Sequence, residues 1–252
     1  MMAGLMIAGA AQAADMPLKA PRAAAPVYSD WNGFYVFGFG GYSWGKIKPD
    51  DFDVDDIFGS GHNPKPKGGV FGFGGGYNYQ YGSWVGGVEL DYAFSSEKDN
   101  QSFSISECPE RGTTLKRALR SADIHCHDYE SISIGLNSKI DALGSARIRA
   151  GYLFTPNLLA YGTGGLAWGR AKVAVDFCGD GECFSLLNSK TNLFGWVAGG
   201  GLEYKLFEHV RVRGEYLHYD FGSTSFAFQP IITINNKVTD DVARGALIWS
   251  FN

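Results

Sequence analysis

The chain has 252 residues, enough for one large β domain or two small ones, and its formal net charge is a mild −4. With 19% charged residues, 15% aromatic residues and 35 glycines it is too apolar for disorder. No apolar run reaches the ~18 residues of a membrane-crossing helix, and no basic run points to nucleic acid as a partner.

Gly4 to Ala11 is a short apolar stretch, and Ala11-Gln12-Ala13 has the small-x-small pattern of a signal-peptidase site. We expect residues 1–14 to be a signal peptide for Sec export, cleaved after Ala13 or Ala14. The basic start usual in such signals is absent, since no Lys or Arg precedes Lys19. With no cysteine near the cleavage point, a lipid-anchored lipoprotein is not expected. Residues 15–29 carry Pro17, Pro21 and Pro26 among alanines, the composition of an extended linker. Residues 30–252 are then one domain.

From Asp30 onward one theme repeats: a strand, then either a very short turn or a long polar stretch. The short turns are Tyr81-Gly82-Ser83, Thr155-Pro156-Asn157 and Phe207-Glu208-His209, and the long stretches run roughly 46–67, 96–137, 177–190 and 224–241. Alternation of the two marks an up-and-down barrel with short periplasmic turns and long outer loops. The fold expected is all-β: an eight-stranded antiparallel up-and-down transmembrane β-barrel with four long outer loops and both termini periplasmic.

Successive strand residues point to opposite faces, so the faces can be read in chain order. The first strand, 31–44, is ambiguous: either Phe34, Val36 and Tyr42 or Tyr35, Phe37 and Phe39 face outward. In 69–80, Phe71, Phe73, Tyr77 and Tyr79 lie opposite Asn78 and Gln80. In 84–95, Trp84, Val88, Leu90, Tyr92 and Phe94 lie opposite Glu89, Asp91 and Ser95. In 140–154, Ile140, Ala142, Ala146, Ile148, Tyr152 and Phe154 lie opposite Asp141, Ser145, Arg147 and Arg149. In 158–175 the charge-free face holds Leu159, Tyr161, Thr163, Ala167 and Val173, opposite Arg170 and Lys172. In 192–206, Phe194, Trp196, Leu202, Tyr204 and Leu206 lie opposite Glu203 and Lys205. In 210–221, Val210, Val212 and Tyr216 lie opposite Arg211, Arg213 and Glu215, with Leu217 and Tyr219 less regular. The last strand sets Ala243, Leu247, Trp249 and Phe251 opposite Arg244 and Ser250.

Periodicity alone fits a soluble barrel with an apolar core as well as a membrane barrel with an apolar exterior. Three features favour the membrane. Aromatics gather toward strand ends, as interfacial girdles do: Trp31, Trp44, Trp84, Tyr152, Phe154, Trp168 and Trp249. The strands exceed the roughly 9–11 residues that a tilted crossing takes. The leader delivers the chain to the periplasm. A soluble lipocalin-like carrier is the competing class.

The segments Trp31-Asn32-Gly33-Phe34-Tyr35-Val36, Gly74-Gly75-Gly76-Tyr77-Asn78, Trp84-Val85-Gly86-Gly87-Val88-Glu89, Arg149-Ala150-Gly151-Tyr152, Tyr161-Gly162-Thr163-Gly164-Gly165-Leu166-Ala167, Gly199-Gly200-Gly201-Leu202-Glu203-Tyr204 and Glu215-Tyr216-Leu217 follow one another in order. Together they resemble the outer-membrane immunogenic protein family of α-proteobacteria, often called porin-like, over 31–251. The resemblance implies an eight-stranded barrel in the cell outer membrane of a Gram-negative bacterium. It also implies a surface antigen with a role in envelope integrity, and in some members porin-like or haem-binding behaviour. Two features depart from the family pattern: the loop cysteines, and an end at Phe251-Asn252 that leaves the terminal aromatic read by the barrel-assembly machinery in the penultimate place.

Thirteen charges fall on the expected lumen face: Glu89, Asp91, Asp141, Arg147, Arg149, Arg170, Lys172, Glu203, Lys205, Arg211, Arg213, Glu215 and Arg244. They admit two readings, a narrow anion-leaning pathway or a salt-bridged plug. An eight-stranded barrel leaves room only for side chains, and buried charges must pair, so the plug is preferred. Glu89 and Glu215 are expected to meet arginines such as Arg147, Arg149, Arg213 and Arg244.

The cysteines fall in expected outer loops, and in an oxidising compartment proximity suggests the pairs Cys108–Cys126 and Cys178–Cys183, one of three possible pairings. His125-Cys126-His127 with Cys108 is the one metal-like cluster, but its spacing matches no standard zinc site, and no metal is expected. The same His125 and His127 are the first candidates for haem. No nucleophile–base arrangement is recognisable. Some eight-stranded barrels modify lipid A from the outer rim, but no matching motif occurs, so no enzymatic role is expected. Gly38-Phe39-Gly40-Gly41 and Gly72 to Gly76 are strand glycines and not phosphate loops. The expected function is a surface barrel contributing to envelope integrity with a plugged lumen; the alternative is a small-solute channel or a haem-binding uptake protein. No cofactor is expected. The partners are outer-membrane lipid, lipopolysaccharide and the barrel-assembly machinery.

Overall fold

The computed structural model describes residues 30–49, 65–105, 132–179, 182–228 and 232–251. The expected leader and linker, Cys108, Cys126, His125 and His127 lie outside the described residues. Eight antiparallel strands run in chain order: β1 Gly33–Pro49, β2 Lys67–Tyr81, β3 Trp84–Ile105, β4 Ile132–Thr155, β5 Leu158–Gly179, β6 Glu182–Lys205, β7 Val210–Phe228 and β8 Ile232–Ser250. Each pairs with the next, and β8 closes on β1. Closure leaves no free sheet edge, as a bilayer requires.

The stagger of the barrel follows from its register. Stepping across the ladder from Trp84 to Tyr152, Ala160, Leu202, Gly214, Gly245, Gly40 and Phe71 returns to β3 at Phe94, ten residues further along. For eight strands this shear corresponds to a tilt of ~40° and an interior that side chains fill.

Apolar side chains cover the outside. Phe34, Phe71, Tyr79, Trp84, Val88, Leu90, Ile148, Leu166, Phe194, Leu202, Leu247 and Trp249 are exposed. Aromatic pairs mark both rims of this band. Trp84 meets Tyr152 edge-on at 5.2 Å on the periplasmic side, while Phe71 stacks on Phe94 at 5.5 Å and Tyr42 on Trp44 at 6.4 Å on the outer side. Residues beyond the outer belt stand above the hydrocarbon.

The ambiguous first strand is settled by its neighbour. Tyr35, Phe37 and Phe39 point inward, opposite Gly76, Gly74 and Gly72 of β2. Each ring lies in the space that its glycine vacates: a Cβ on Gly74 would stand 2.4 Å from the Phe37 ring and 2.6 Å from the Leu90 carbonyl oxygen. Phe34, Val36 and Tyr42 face the lipid.

Four expectations need correction. The described parts of the long polar stretches are almost all strand. β3 and β4 extend to Ile105 and from Ile132, and β5 and β6 stop only at Gly179 and Glu182. The ladder therefore continues well above the membrane. Second, the charge-free face of β5 is the inner one: Leu159, Tyr161, Ala167 and Ala171 are buried, and Gly162, Leu166 and Arg170 face outward. Third, a bulge between Ile140 and Ala142 reverses the phase of β4, so Ile140 is wholly buried and Asp141 leaves the lumen. Fourth, Trp31 is not a girdle residue. It is buried in the periplasmic mouth, where its indole N–H donates to the Pro156 carbonyl at 3.2 Å.

If the glycine track of β2 is what admits the inward rings, Gly74→Val should lower the thermal unfolding midpoint by an amount worth ~1–3 kcal/mol of overpacking. Gly40→Val, on the lipid face with nothing within 4 Å of the new Cβ, should leave it nearly unchanged. Heat-modifiable gel migration scored against temperature reads both, and equal midpoints would remove the glycine argument.

Candidate functional site

The middle of the lumen holds nine charged side chains, each at most 5% exposed: Glu89, Asp91, Arg147, Arg149, Glu203, Arg211, Arg213, Glu215 and Arg244. They come from β3, β4, β6, β7 and β8, all inward positions of the two-residue period. Each carboxylate is shared by two or more guanidiniums, the arrangement that buried charges need.

Glu203 binds Arg149 at 2.8 Å, Arg211 at 2.8 Å and Arg213 at 3.0 Å. Glu215 takes Arg147 at 3.0 Å and Arg244 at 2.7 Å, and accepts the Tyr161 hydroxyl at 2.7 Å. Glu89 meets Arg147, and Arg213 at 2.8 Å, and accepts the Tyr35 hydroxyl at 2.8 Å. Asp91 joins Arg147 at 2.8 Å to Arg244 at 3.0 Å and accepts from Ser145 at 2.9 Å. The planar faces of the guanidiniums are covered by aromatic rings: Arg149 lies 4.0 Å from the Tyr161 ring centroid, Arg244 4.1 Å from Phe39, and Arg211 4.9 Å from Trp31. Such stacking is favourable when desolvated.

Apolar layers close the charged one from both ends. Trp31, Val85, Leu153, Leu159 and Tyr161 pack at the periplasmic mouth. Toward the outside, Leu143, Leu193, Val197, Leu217, Tyr219, Phe221, Val238 and Val242 form the larger cluster. Leu217 and Tyr219, irregular in sequence, therefore belong to the lumen.

Four of the thirteen expected lumen charges stand elsewhere. Arg170 is exposed on the outer surface, so its place in the network is withdrawn. Asp141 bridges Lys139 at 2.6 Å and Lys172 at 2.5 Å outside the lumen. Lys205 points into the periplasmic mouth and donates to the Asp30 carbonyl at 3.1 Å. Cys178 and Cys183 are register partners across the β5–β6 hairpin. The haem and metal candidates lie outside the described residues, and no group of three metal-ligating side chains occurs among the described ones.

Two acids escaped the sequence reading because it placed both 96–137 and 224–241 in loops. Glu97 and Asp240 are inward and fully buried above the outer aromatic belt. Ser43 donates to Asp240 at 2.5 Å, and Ser95 to Glu97 at 2.7 Å. Gly45 lies between them: it is the register partner of Asp240, and a Cβ on it would be 3.5 Å from Glu97 Oε2. With no cation to offset it, burial pushes the Glu97 carboxyl up to about 7, against the hydrogen bond from Ser95.

A model of the outer membrane protein beta-barrel domain matches residues 2–251. The chain belongs to that family. It is 29% identical to the 31 kDa outer-membrane immunogenic protein of Brucella melitensis over 251 residues, 98% of this chain and 95% of the relative. It is 33% identical to the 22 kDa outer membrane protein of Rhizobium leguminosarum over 200 residues, 78% of this chain and 67% of the relative. The solved structure of Neisserial surface protein A is similar at a TM-score of 0.43 and 14% identity, covering 86% of this chain and 97% of that one. The family member is thus an outer-membrane β-barrel of a Gram-negative cell, with its apolar band in the lipid.

Glu203→Gln keeps the shape of the site and removes the charge that three guanidiniums share. We expect a loss of about 3–5 kcal/mol, the cost of breaking a buried pair, read as a lower urea midpoint of the refolded barrel. Lys237→Gln, at a half-exposed pair with Asp220 of 3.6 Å, should change it by less than ~0.5 kcal/mol. Equal shifts would refute the network's structural weight.

Glu97 gives a pH dependence of definite sign. Between 4.5, its ordinary value, and about 7 the folded protein holds a proton that the unfolded chain releases. Stability should therefore fall as pH rises through that window, and the buried Asp240 carboxyl, also held well above its ordinary value, carries the fall further. Glu97→Gln should reduce the slope of urea midpoint against pH within that window; an unaltered slope would remove Glu97 as a source.

Proposed function

We propose that this protein is a closed, non-conducting barrel that contributes to envelope integrity and presents its extended outer strands at the cell surface. The observation that carries this reading is the layering of the lumen. A solute would have to pass the Trp31–Leu159 layer, then nine buried charges engaged with one another, then the Leu193–Leu217–Phe221 cluster. Removing one partner from such a network strands the others in a low dielectric, so a transient opening is costly. Four carboxylates face five guanidiniums in that layer, a balance that suits mutual neutralisation better than ion conduction.

The outer part supports the surface role. β3, β4, β5 and β6 are 22–24 residues long, about twice what a crossing needs. Their upper halves form a ladder projecting from the membrane. Relatives named for immunogenicity fit a chain whose projecting part meets the outside.

In planar bilayers the purified, folded protein should show little or no steady conductance. Reproducible large openings would replace the plug with a pore.

A further inference from the structure

Above the outer aromatic belt the barrel's exterior becomes basic between β1 and β3. Lys46, Lys65, Lys67 and Lys98 are all exposed. Lys67 and Lys98 are direct register partners on one face, and Trp44 stands opposite Lys67 on the other side. Like charges placed directly opposite each other destabilise a strand pair. No ion pair joins any of the four to a described carboxylate. Asp241 lies near enough to Lys46 for their charges to attract, but it forms no ion pair with it and its Oδ1 is engaged by Tyr216 and His218, each at 2.7 Å; Asp99 accepts the backbone N–H of Lys65 at 2.6 Å. Beneath the lysines is a pocket of about 430 Å³, lined by Tyr42, Trp44, Gly45, Lys46, Lys65 and Lys67.

We propose that this pocket seats a phosphate-bearing headgroup of an outer-leaflet glycolipid, with the lysine ammonium groups on the phosphates and the Tyr42 and Trp44 rings at the sugar–acyl boundary. The charge complementarity is direct, and the height is right. The aromatics mark the interface, and the lysines of β1, β2 and β3 stand just above it on the lipid-facing side, where headgroup phosphates lie. Inward acids on the same strands cannot serve instead, because Glu97 points into the lumen beside outward Lys98. The proposal rests on the envelope role given above and names the lipid component that role engages.

The test uses the full chain folded in phosphatidylcholine nanodiscs and two probes, lipid A carrying both phosphates and the same lipid with the phosphates removed. The wild type should prefer the phosphorylated form by about tenfold or more, and added salt should weaken the preference. The variant K46Q/K65Q/K67Q/K98Q should lose it, while R170Q/K190Q, basic residues of β5 and β6, should keep it. Heat-modifiable migration checks folding. If the fourfold variant does not fold, K67Q/K98Q should still lower the preference several-fold. A wild type without preference, or a preference kept by the lysine variants, overturns the proposal. A preference that appears only when Asp50, Asp51, Asp53, Asp55 and Asp56 are changed to asparagine also overturns it, and assigns the lysines to this chain's own acidic segment. Conductance is scored separately, so a pore in the wild type would refute the plug without touching the lipid seat.

Discussion

Closing eight strands with a stagger of ten residues leaves a lumen that only side chains can occupy. Every inward position must then match the positions facing it in volume and in charge. The aromatic track of β1 over the glycine track of β2 satisfies the first demand. Tyr35, Phe37 and Phe39 project across the barrel because Gly76, Gly74 and Gly72 leave them room. The arginines of β4, β7 and β8 satisfy the second, since they reach the carboxylates of β3, β6 and β7 from several sides at once. The two solutions are coupled: Tyr35 donates to Glu89, and Phe39 covers Arg244.

Much of this was legible in the sequence. The strand count, the short turns and the closure follow from the alternation of connections. The inward placement of Glu89, Arg147, Glu203, Arg213 and Arg244 follows from the period of two. The period failed where a local irregularity broke it. The bulge at Ile140–Ala142 moves Asp141 out and Ile140 in, and nothing in that sequence announces it. On β5 the rule that charges line the lumen gave the wrong face. Arg170 and Lys172 sit too high on the strand to meet lipid, so they can face outward without cost, while Leu159 and Ala167 fill the core. Trp31 looked like a girdle residue from its type and place, but a tryptophan at the mouth of a narrow barrel can also close it.

Polar composition was also mistaken for loop. Residues 96–102 carry no apolar side chain, because a strand above the membrane needs none on its outer face. Their strand character comes from hydrogen bonding to neighbours already aligned by the membrane-spanning part, a tertiary effect that local patterning does not report. Glu97 and Asp240 were missed for this reason: both sit where the ladder continues after the hydrophobic signal has stopped.

The outer end sorts its charges by the same rule of alternation that builds the barrel. Glu97 points in and Lys98 points out, and inward Asp240 sits across the wall from outward Lys46. The sheet stands between the two sets, so acids and bases close in sequence cannot neutralise each other. The inner set has no cation beside it, and burial raises the Glu97 carboxyl to about 7. On the outer side Lys67 and Lys98 face each other across β2 and β3, and no described carboxylate forms an ion pair with either. Anionic headgroups lie at their height, where the aromatic side chains end. The pleat of three strands therefore sets a buried acid of raised pKa within the barrel and a lysine cluster on its surface.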